Sequence, residues 1–548
     1  MQSWSLVKRK CAVLGAIFLL LALAIPAGAE VVLVSGDVSG TWTADTVLVT
    51  DSIYVSPGNT LVIEPGVDVL FIVAYSFRVY SGATLQAVGT EDEMINFLPF
   101  TSGYNTLGVE FVDASDESIL EYCHFTHALY SAIKLTNSPI TIRNCTMEGN
   151  PGYASGGAIA ALAGSDALIE NNIIRDNNGG YEGGAIYCDA SAPTIRGNTI
   201  DGNSTYGLGA GIACENYSDP VIVNNTFMNN VVTPSVFPPS PGQGGAIYCS
   251  NGSIPVIIGN LFFNNRVNAG GNSAYNGGGA IFVFSSTPVI MNNVFAQNTA
   301  PGDDGGALFL FICNSHLINN TFLYNTAGDR GGAVYFALSS YPEVTNCIMR
   351  NNSAPNGSMI YLTDSDLTVA YSNIEGGWEG VGNIDVNPMF RDPVGGDYHL
   401  QDSVECGDQY YSPCIDAGSP DFTDSLLDCS WGLGSELCDM GAYGGGDSVS
   451  VGISQRQPLI PESFTLSQNY PNPFNARTTI KYALPYSSFV NLDIFDPLGR
   501  KVTTLIDENQ PAGYHQVTWD AADKSSGMYF YKIQAAGRSE SGKMLLLK

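Results

Sequence analysis

Gly183-Gly184-Ala185-Ile186-Tyr187-Cys188 returns as Gly244-Gly245-Ala246-Ile247-Tyr248-Cys249, then as Gly278-Gly279-Ala280-Ile281-Phe282-Val283, Gly305-Gly306-Ala307-Leu308-Phe309-Leu310 and Gly331-Gly332-Ala333-Val334-Tyr335-Phe336. Weaker copies open at Gly156 and Gly209. A second motif interleaves with the first, as in Asn171-Asn172-Ile173-Ile174, Gly197-Asn198-Thr199-Ile200, Asn224-Asn225-Thr226-Phe227, Gly259-Asn260-Leu261-Phe262, Asn292-Asn293-Val294-Phe295 and Asn319-Asn320-Thr321-Phe322. Its second residue falls at 145, 172, 198, 225, 260, 293, 320 and 347, in steps of 26 or 27 with two of 33 to 35. The two long steps hold a Pro-rich insertion at 231–243 and a Gly/Asn-rich one at 267–277.

A period in the twenties, built of short β-branched and aromatic runs punctuated by Gly and Asn, is what a coil of short strands requires. Helical repeats would need uninterrupted periodic segments, and none are present. The pattern predicts an all-β chain dominated by a right-handed parallel β-helix, each turn stacked on the last at about 4.8 Å with like residues in columns. Asn suits a corner because it tolerates the left-handed conformation and its amide bonds to the same residue one turn away. The same column accounts for the Asn-x-Ser/Thr triplets better than glycosylation does. The Gly pair permits a second sharp bend. Less regular turns begin near Thr60-Leu61-Val62-Ile63-Glu64-Pro65-Gly66 and Gly82-Ala83-Thr84-Leu85, giving about 13 turns and a rod of roughly 60 Å.

Composition sets the outer bounds. The 548 residues carry 22 basic and 52 acidic side chains, a net charge of −30. That excess of carboxylates repels phosphate backbones and anionic lipid surfaces, so nucleic acid is excluded as a partner. Residues 1–29 read as a secretory signal: Lys8, Arg9 and Lys10, an apolar run from Cys11 to Ile25, and Ala27-Gly28-Ala29 before Glu30. No later stretch approaches membrane length, so no transmembrane segment is expected in the mature chain. Without Cys11 eleven cysteines remain. Cys406, Cys414, Cys429 and Cys438 cluster in a loop-rich stretch where disulfides are expected and three pairings are open. The other seven sit at fixed places in the repeat and read as packed thiols.

The domain reading is a signal at 1–29, a β-helix with a loop-rich closing segment at 30–445, a linker at 446–462 and a C-terminal module at 463–548. Charge changes sign across the linker: residues 30–460 hold 10 basic and 44 acidic side chains, residues 461–548 hold 9 and 8. Strands at 478–483, 489–495, 515–519, 528–534 and 543–547, joined by Gly and Pro turns, describe a small Ig-like β-sandwich.

The repeats, the opening Val62-Ile63-Glu64-Pro65-Gly66 and the closing Asn387-Pro388-Met389-Phe390 to Asp439-Met440-Gly441-Ala442-Tyr443 resemble bacterial secreted proteins with right-handed parallel β-helix repeats, over roughly 45–445. That pectin lyase-like fold hosts lyases, hydrolases, epimerases and non-catalytic surface proteins, so it says little about activity. The module's Asn469, Tyr470, Pro471, Asn472, Pro473, Phe474 and Asn475, with Gly499, Arg500, Gly527 and the terminal Lys548, resemble the type IX secretion C-terminal sorting domain. The resemblance implies a Gram-negative, Bacteroidetes-like envelope, the outer-membrane secretion machinery as partner, and a cell-surface or released product. The alternative is use of the same Ig-like sandwich only as a structural or flagellar-type domain.

Chemistry has few places to sit. Ile186 and Cys188 share parity and Tyr187 opposes them, so Tyr187, Tyr248, Phe282, Phe309 and Tyr335 form an outward column, interrupted at Ala213. Stacked exposed rings bind sugar faces, and both insertions enter beside them; the same rings would also serve simply to shield the sheet. Asp303, Asp304, Asp329 and Arg330 occupy successive turns, with Asp303 near Asp329 and Asp304 near Arg330. Two carboxylates one turn apart could hold Ca²⁺ or share a proton for glycoside chemistry, against the plainer reading of solvated loop acids. No other cofactor is expected. Arg143, Glu170 and Arg196 read as an ion ladder, and His124 and His127 beside Cys123 lack a complete zinc pattern. Polyuronate cleavage needs clustered cations and a base, yet residues 100–380 offer one lysine, Lys134, and six scattered arginines. The sequence thus favours non-catalytic glycan binding or adhesion. A polysaccharide lyase or glycoside hydrolase working in the groove and a structural surface spacer are the alternatives.

Overall fold

The computed structural model describes residues 29–445 apart from 102, 236–239, 269–274, 314, 339–341 and 425–426, and residues 464–547 apart from 467–468, 470–471, 485–487, 511–512, 523 and 536–537. Residues 1–28 of the expected leader, the expected linker, Tyr470, Pro471 and Lys548 lie outside the described residues.

Each repeat contributes three short strands to one turn of a parallel coil. Thirteen strands from Gly40–Trp42 to Thr368–Ala370 stack as one face, which matches the expected number of turns. The other two faces fork from a single long strand, Thr46–Val55. Its first half pairs with Asp68–Phe71 and opens the face that carries the Asn-Asn motif. Its second half pairs with Phe77–Val79 and opens the Gly-Gly-Ala face. Register then holds through the stack: Ile186 opposes Ile212, then Ile247, Ile281, Leu308 and Val334. The two insertions leave it intact, because a turn that keeps its strands can loop out extra residues at a corner.

Period-two alternation fills the interior. Ile186 and Cys188 are fully buried, and the Asn-Asn face sends in Phe227, Phe262, Phe295 and Phe322. Those four rings stack face to face at 4.8 Å with interplanar angles of 5–7°. Burial of each ring is worth about 1.5–3 kcal/mol and each ring pair adds about 0.5–1.5 kcal/mol. The seven repeat cysteines are buried, with Cys188, Cys214 and Cys249 in register.

At the corner before the Asn-Asn strands, the two roles expected of one Asn are divided between neighbours. The first residue takes the left-handed turn, as in Asn171 (φ 55°) and Gly197 (φ 64°). The second turns inward and stacks: Asn172, Asn198, Asn225, Asn260, Asn293 and Asn320 are joined Nδ2 to Oδ1 at 2.9–3.1 Å. A second buried ladder, unforeseen from the motif, follows those strands: Asn150, Asn177, Asn203, Asn230, Asn265, Asn298, Asn325 and Asn352, linked at 2.7–3.0 Å. Serines do the same at the third corner, where the backbone N–H of Ser138, Ser165, Ser191 and Ser218 donates to the next turn's hydroxyl at 3.1–3.2 Å. In the Gly pair only Gly183 is left-handed. Gly184 is needed for close approach, since a Cβ there would lie 2.1 Å from Ala210 O.

The closing segment folds back along the outside of the Asn-Asn face. The left-handed Asn292, Asn319 and Asn346 aim their amides outward; Asn292 Nδ2 donates to Ala442 O and Asn319 Nδ2 to Asp439 O. Ser419 N–H donates to Asn346 Oδ1. Tyr398 and Ala442 pack over Val294, Ala296 and Leu323. Of the four clustered cysteines, Cys406 and Cys429 form a disulfide, while Cys414 and Cys438 are buried thiols. Both thiols accept amide hydrogen bonds, Cys414 from Asn373 and Cys438 from Asn346.

The C-terminal module is two antiparallel sheets. One holds Thr465–Leu466, Arg477–Leu484 and Gly513–Asp520. The other holds Lys501–Gln510, Ser488–Phe495, Gly527–Ala535 and Arg538–Leu546. They share a core in which Ile480, Tyr482 and Trp519 meet Leu492, Ile494 and Tyr531. Lys501–Gln510 adds an edge strand to the expected set; its charged Asp507-Glu508-Asn509 end hides the alternation in sequence.

Candidate functional site

The outward column of the Gly-Gly-Ala face runs in register through Arg78, Glu110, Lys134, Ala160, Tyr187, Ala213, Tyr248, Phe282, Phe309 and Tyr335. Its last members point away from the core as expected, but they do not form an open platform. Phe282 and Phe309 are fully buried and Tyr248 and Tyr335 nearly so. Their rings follow one another at 4.5–5.9 Å, stacked except for an edge-to-face step between Phe282 and Phe309, and pack with Leu208 and Phe311, which is itself covered by the Tyr275 ring at 4.3 Å. Leu208 and Tyr275 come from corners that follow the second Asn ladder, and four of the five predicted sugar platforms are covered and shield the sheet instead. Tyr187 alone stays half-buried.

Where the column narrows to Ala160, a groove of about 550 Å³ opens. Arg78, Glu110, Lys134, Ala160, Tyr187 and Asp189 form its floor; Leu107, Tyr130, Ser131, Ala154 and Ser155 form its wall. At one end Glu110 bridges Arg78 Nε (2.7 Å) and Lys134 Nζ (2.9 Å). Burial raises the Glu110 carboxyl, but the two cations outweigh it and hold the group below its ordinary value. At the other end Tyr187 Oη donates to Glu215 Oε2 at 3.1 Å. Burial, and then the nearby Glu182, push the Glu215 carboxyl up. Lys134 therefore does not stand alone, as the 100–380 window implied: Arg78, outside that window, shares its column.

The wall belongs to a corner that presents one tyrosine per turn, and of these Tyr130 lines the groove. Tyr130, Tyr153, Tyr181 and Tyr206 come from four consecutive turns and are 45–75% exposed. Backbone bonds hold these loops in stack, with Tyr153 N–H donating to Leu129 O and Tyr206 N–H to Gly180 O. These tyrosines escape a search for in-strand repeats, because they sit at slightly different distances from the Gly pair. Their signal in sequence is only that each loop contains one.

The acidic cluster is assembled differently from expectation. Asp304 makes a two-pronged ion pair with Arg330, Oδ1 to Nε at 2.9 Å and Oδ2 to Nη2 at 2.5 Å. Arg330 also lies 3.4 Å from Asp329 and donates to Tyr335 Oη. Asp303 reaches Asp329 through its backbone, accepting Asp329 N–H at 3.2 Å. Burial, with Asp304 adding to it, pushes the Asp303 carboxyl up to about 6. Arg330 thus takes up Asp304 and Asp329 but not Asp303, and no three His, Cys, Asp or Glu side chains converge on a metal position among the described residues. The ion column is present: Arg143 pairs with Glu121 and Arg196 with Glu170. His124 pairs outward with Glu148 while Cys123 points into the core, which separates them as ligands. Two further hollows, of about 690 and 460 Å³, lie where the last turns end beside Trp378 and Tyr410.

In the C-terminal module the motif residues form a clasp. Asn472 Oδ1 accepts Leu545 N–H at 2.9 Å and its Nδ2 donates to Lys543 O at 3.2 Å. Phe474 is buried 5.7 Å from Trp519, and its backbone exchanges bonds with Leu545 and Leu547. Asn469 donates to Thr478 Oγ1. Pro473 and Asn475 are exposed beside the clasp, Gly499 (φ 77°) shapes the turn in which Arg500 pairs with Asp496, and Gly527 opens the strand opposite Leu546.

The family model described as right handed beta helix region matches residues 107–274 and 268–385, and that of the secretion system C-terminal sorting domain matches residues 468–547. No curated protein and no solved structure matches the chain significantly. The sorting domain implies interaction with the type IX secretion machinery and indicates a secreted or cell-surface product of Bacteroidetes-type bacteria. No helix among the described residues is long and apolar enough to cross a membrane. With just over half of its length in the matched repeat, the chain belongs to the right-handed β-helix family.

Proposed function

We propose that this secreted or cell-surface β-helix protein binds glycan, without cleaving it, in the groove on its Gly-Gly-Ala face, and so serves in adhesion or capture. Residues 1–29 act as its export leader. The observation that supports this reading is an open groove with the exposed Tyr130 on its wall and the half-buried Tyr187 on its floor, on a face whose other rings are covered. Tyrosine offers an apolar face and a polar edge, which suits a sugar ring with its C–H face and hydroxyl rim. Neither groove cation is unpaired, and Glu215 is already engaged by Tyr187 and Ser250. That leaves the groove better equipped to hold a sugar than to activate one.

The test is incubation of the mature full chain with a polysaccharide panel, scored for retention and for new reducing ends or unsaturated uronate. Retention without products, lost in Tyr130→Ala, is expected. Product release would move the protein to the lyase or hydrolase alternative, and silence in both assays would leave the spacer.

A further inference from the structure

We infer that the outer-membrane secretion machinery binds the C-terminal module on the outer face of its four-stranded sheet, at an apolar patch made by Phe495, Leu498, Met528, Phe530, Leu545 and Leu547. The inference is independent of glycan binding. Alternation along each strand decides which side chains lie there. Ile494, Tyr529, Tyr531, Met544 and Leu546 are buried between the sheets, so their neighbours point out. Across the sheet Phe495 opposes Phe530, and Met528 opposes Leu545. Leu498 sits in the turn after Phe495, and Leu547 follows the last strand. Leu498, Met528, Phe530 and Leu547 are 38–77% exposed. Three segments of the matched sorting domain, at 495–500, 526–529 and 543–547, are thus brought to one end of one sheet face.

The rest of that face shows how a solvated sheet fills the same positions. The row next to Phe495 and Phe530 is Thr504, Asp493, Lys532 and Ser541, and the one beyond includes Asp507, Asn491 and Gln534. These groups satisfy one another: Asp493 accepts from Thr504 Oγ1 at 2.6 Å and pairs with Lys501 at 3.0 Å, and Asn491 Nδ2 donates to Asp507 Oδ1 at 2.8 Å. An antiparallel sheet with one face in water is expected to be polar on that face throughout. Apolar side chains gathered at one end lie outside the core and mark a surface that another body covers. The bonds from Asn472 to Leu545 N–H and Lys543 O hold the last strand in place, so Leu545 is presented in a fixed position. Lys501 and Lys543 end the row of Phe495 and Phe530 on either side. Residues 461–548 hold 9 basic and 8 acidic side chains, against 10 and 44 in residues 30–460. The partner that fits is an apolar recess with a carboxylate rim, which attracts the module and repels the coil.

The experiment is export of the full chain from a type IX host, scored as surface or medium protein against protein retained in the periplasm. Met528→Glu and Phe530→Glu should each cut delivery about tenfold or more. Two controls on the same face should leave it unchanged: Gln534→Glu, and Phe489→Glu, an exposed ring about 20 Å along the strand from Phe495. Unchanged hydrogen-exchange protection at Leu492 and Tyr531 in the purified variants shows that the module is folded. Should a glutamate variant lose that protection, benzoylphenylalanine in place of Phe530 decides, since it keeps an aromatic ring there. On irradiation in the host it is expected to crosslink to an identified outer-membrane component of the machinery, and the same group in place of Gln534 is not. Full delivery of the folded patch variants, equal loss in the controls, or a crosslink from position 530 to a second copy of the chain or to no machinery component overturns the inference. Delivery that survives removal of residues 463–548 overturns the sorting role and the inference with it.

Discussion

Adjacent asparagines at one corner should behave in opposite ways. Asn172 accepts Cys145 N–H on Oδ1 at 2.9 Å and donates from Nδ2 to Ile142 O at 3.0 Å and Asn198 Oδ1 at 2.9 Å. Asn172→Ala takes the acceptor from one buried N–H, at about 1–3 kcal/mol, and removes two further bonds worth about 1 kcal/mol each. The expected cost is about 3–5 kcal/mol. Asn171 holds φ 55°, a conformation supplied by glycine at Gly197 and Gly259 in equivalent turns. Asn171→Gly should therefore change stability by no more than about 0.5 kcal/mol. Asn172→Asp sharpens the contrast, because its second oxygen would face Ile142 O and Asn198 Oδ1. Its folded-state pKa should be raised, so the damage should be greatest at neutral pH and recede as acid protonates the group.

Native-state hydrogen exchange is the suitable assay, since stability in a stacked repeat is local and one global transition need not report it. Protection of amides around Cys145 and Asn172 should fall by two to four orders of magnitude in Asn172→Ala, by about tenfold per 1.4 kcal/mol. Unchanged protection there, or an equal loss in Asn171→Gly, would refute the division of labour between the two residues.

Filling the groove without touching the core should separate binding from folding: Ala160→Tyr places a ring between Lys134 and Tyr187, and glycan retention should be abolished while the unfolding free energy changes by less than about 1 kcal/mol. In the closing segment, burial and then the mutual proximity of the pair push Asp439 up to about 8, and burial pushes Asp424 up to about 7. Both folded values exceed the ordinary value of 3.8, so the folded segment holds protons that the unfolded one has released. Its stability is full below about pH 4 and declines as pH rises through 7 to 8, and proteolysis between 400 and 445 should accelerate over that window. In the sorting module, Asn472→Ala removes the bonds to Leu545 N–H and Lys543 O, so amides of the last strand should exchange about tenfold faster and export in a type IX host should drop.

The inward half of the fold is legible because it repeats. Ile186, Ile212, Ile247 and Ile281 meet the same neighbours in every turn, so the same residue type returns and the period becomes visible. The second Asn ladder also repeats, but its members follow Gly149, Asp176, Gly202, Gln297 and Tyr324 as well as asparagines, and this varied left-handed residue hides it. The direction of the closing segment had no local signature. It depends on Asn292, Asn319 and Asn346 occupying left-handed corners in three successive turns, a choice that only acquires meaning once the segment lies against them. The outward orientation of Tyr248, Phe282 and Phe309 followed from parity, whereas their burial depends on corner loops whose path the strand pattern does not encode.

Function on such a coil is therefore to be sought where the repeat lapses. A column that faces the core has one environment, and substitution there costs packing in every turn. A column that faces outward meets a different environment at each level: water and counter-charges at Arg78 to Lys134, an open groove at Ala160, a covered ring cluster around Phe282, and no constraint to repeat. Ala160 and Ala213 interrupt an otherwise large outward column on either side of Tyr187, and only the first of them borders the groove. A small side chain where neighbouring turns carry rings or long charged chains does not improve the sheet; cross-strand pairing alone would favour a ring there. The missing volume at Ala160 makes sense as room for something that is not part of the chain, and Tyr130 of the adjoining corner gives that space an aromatic side.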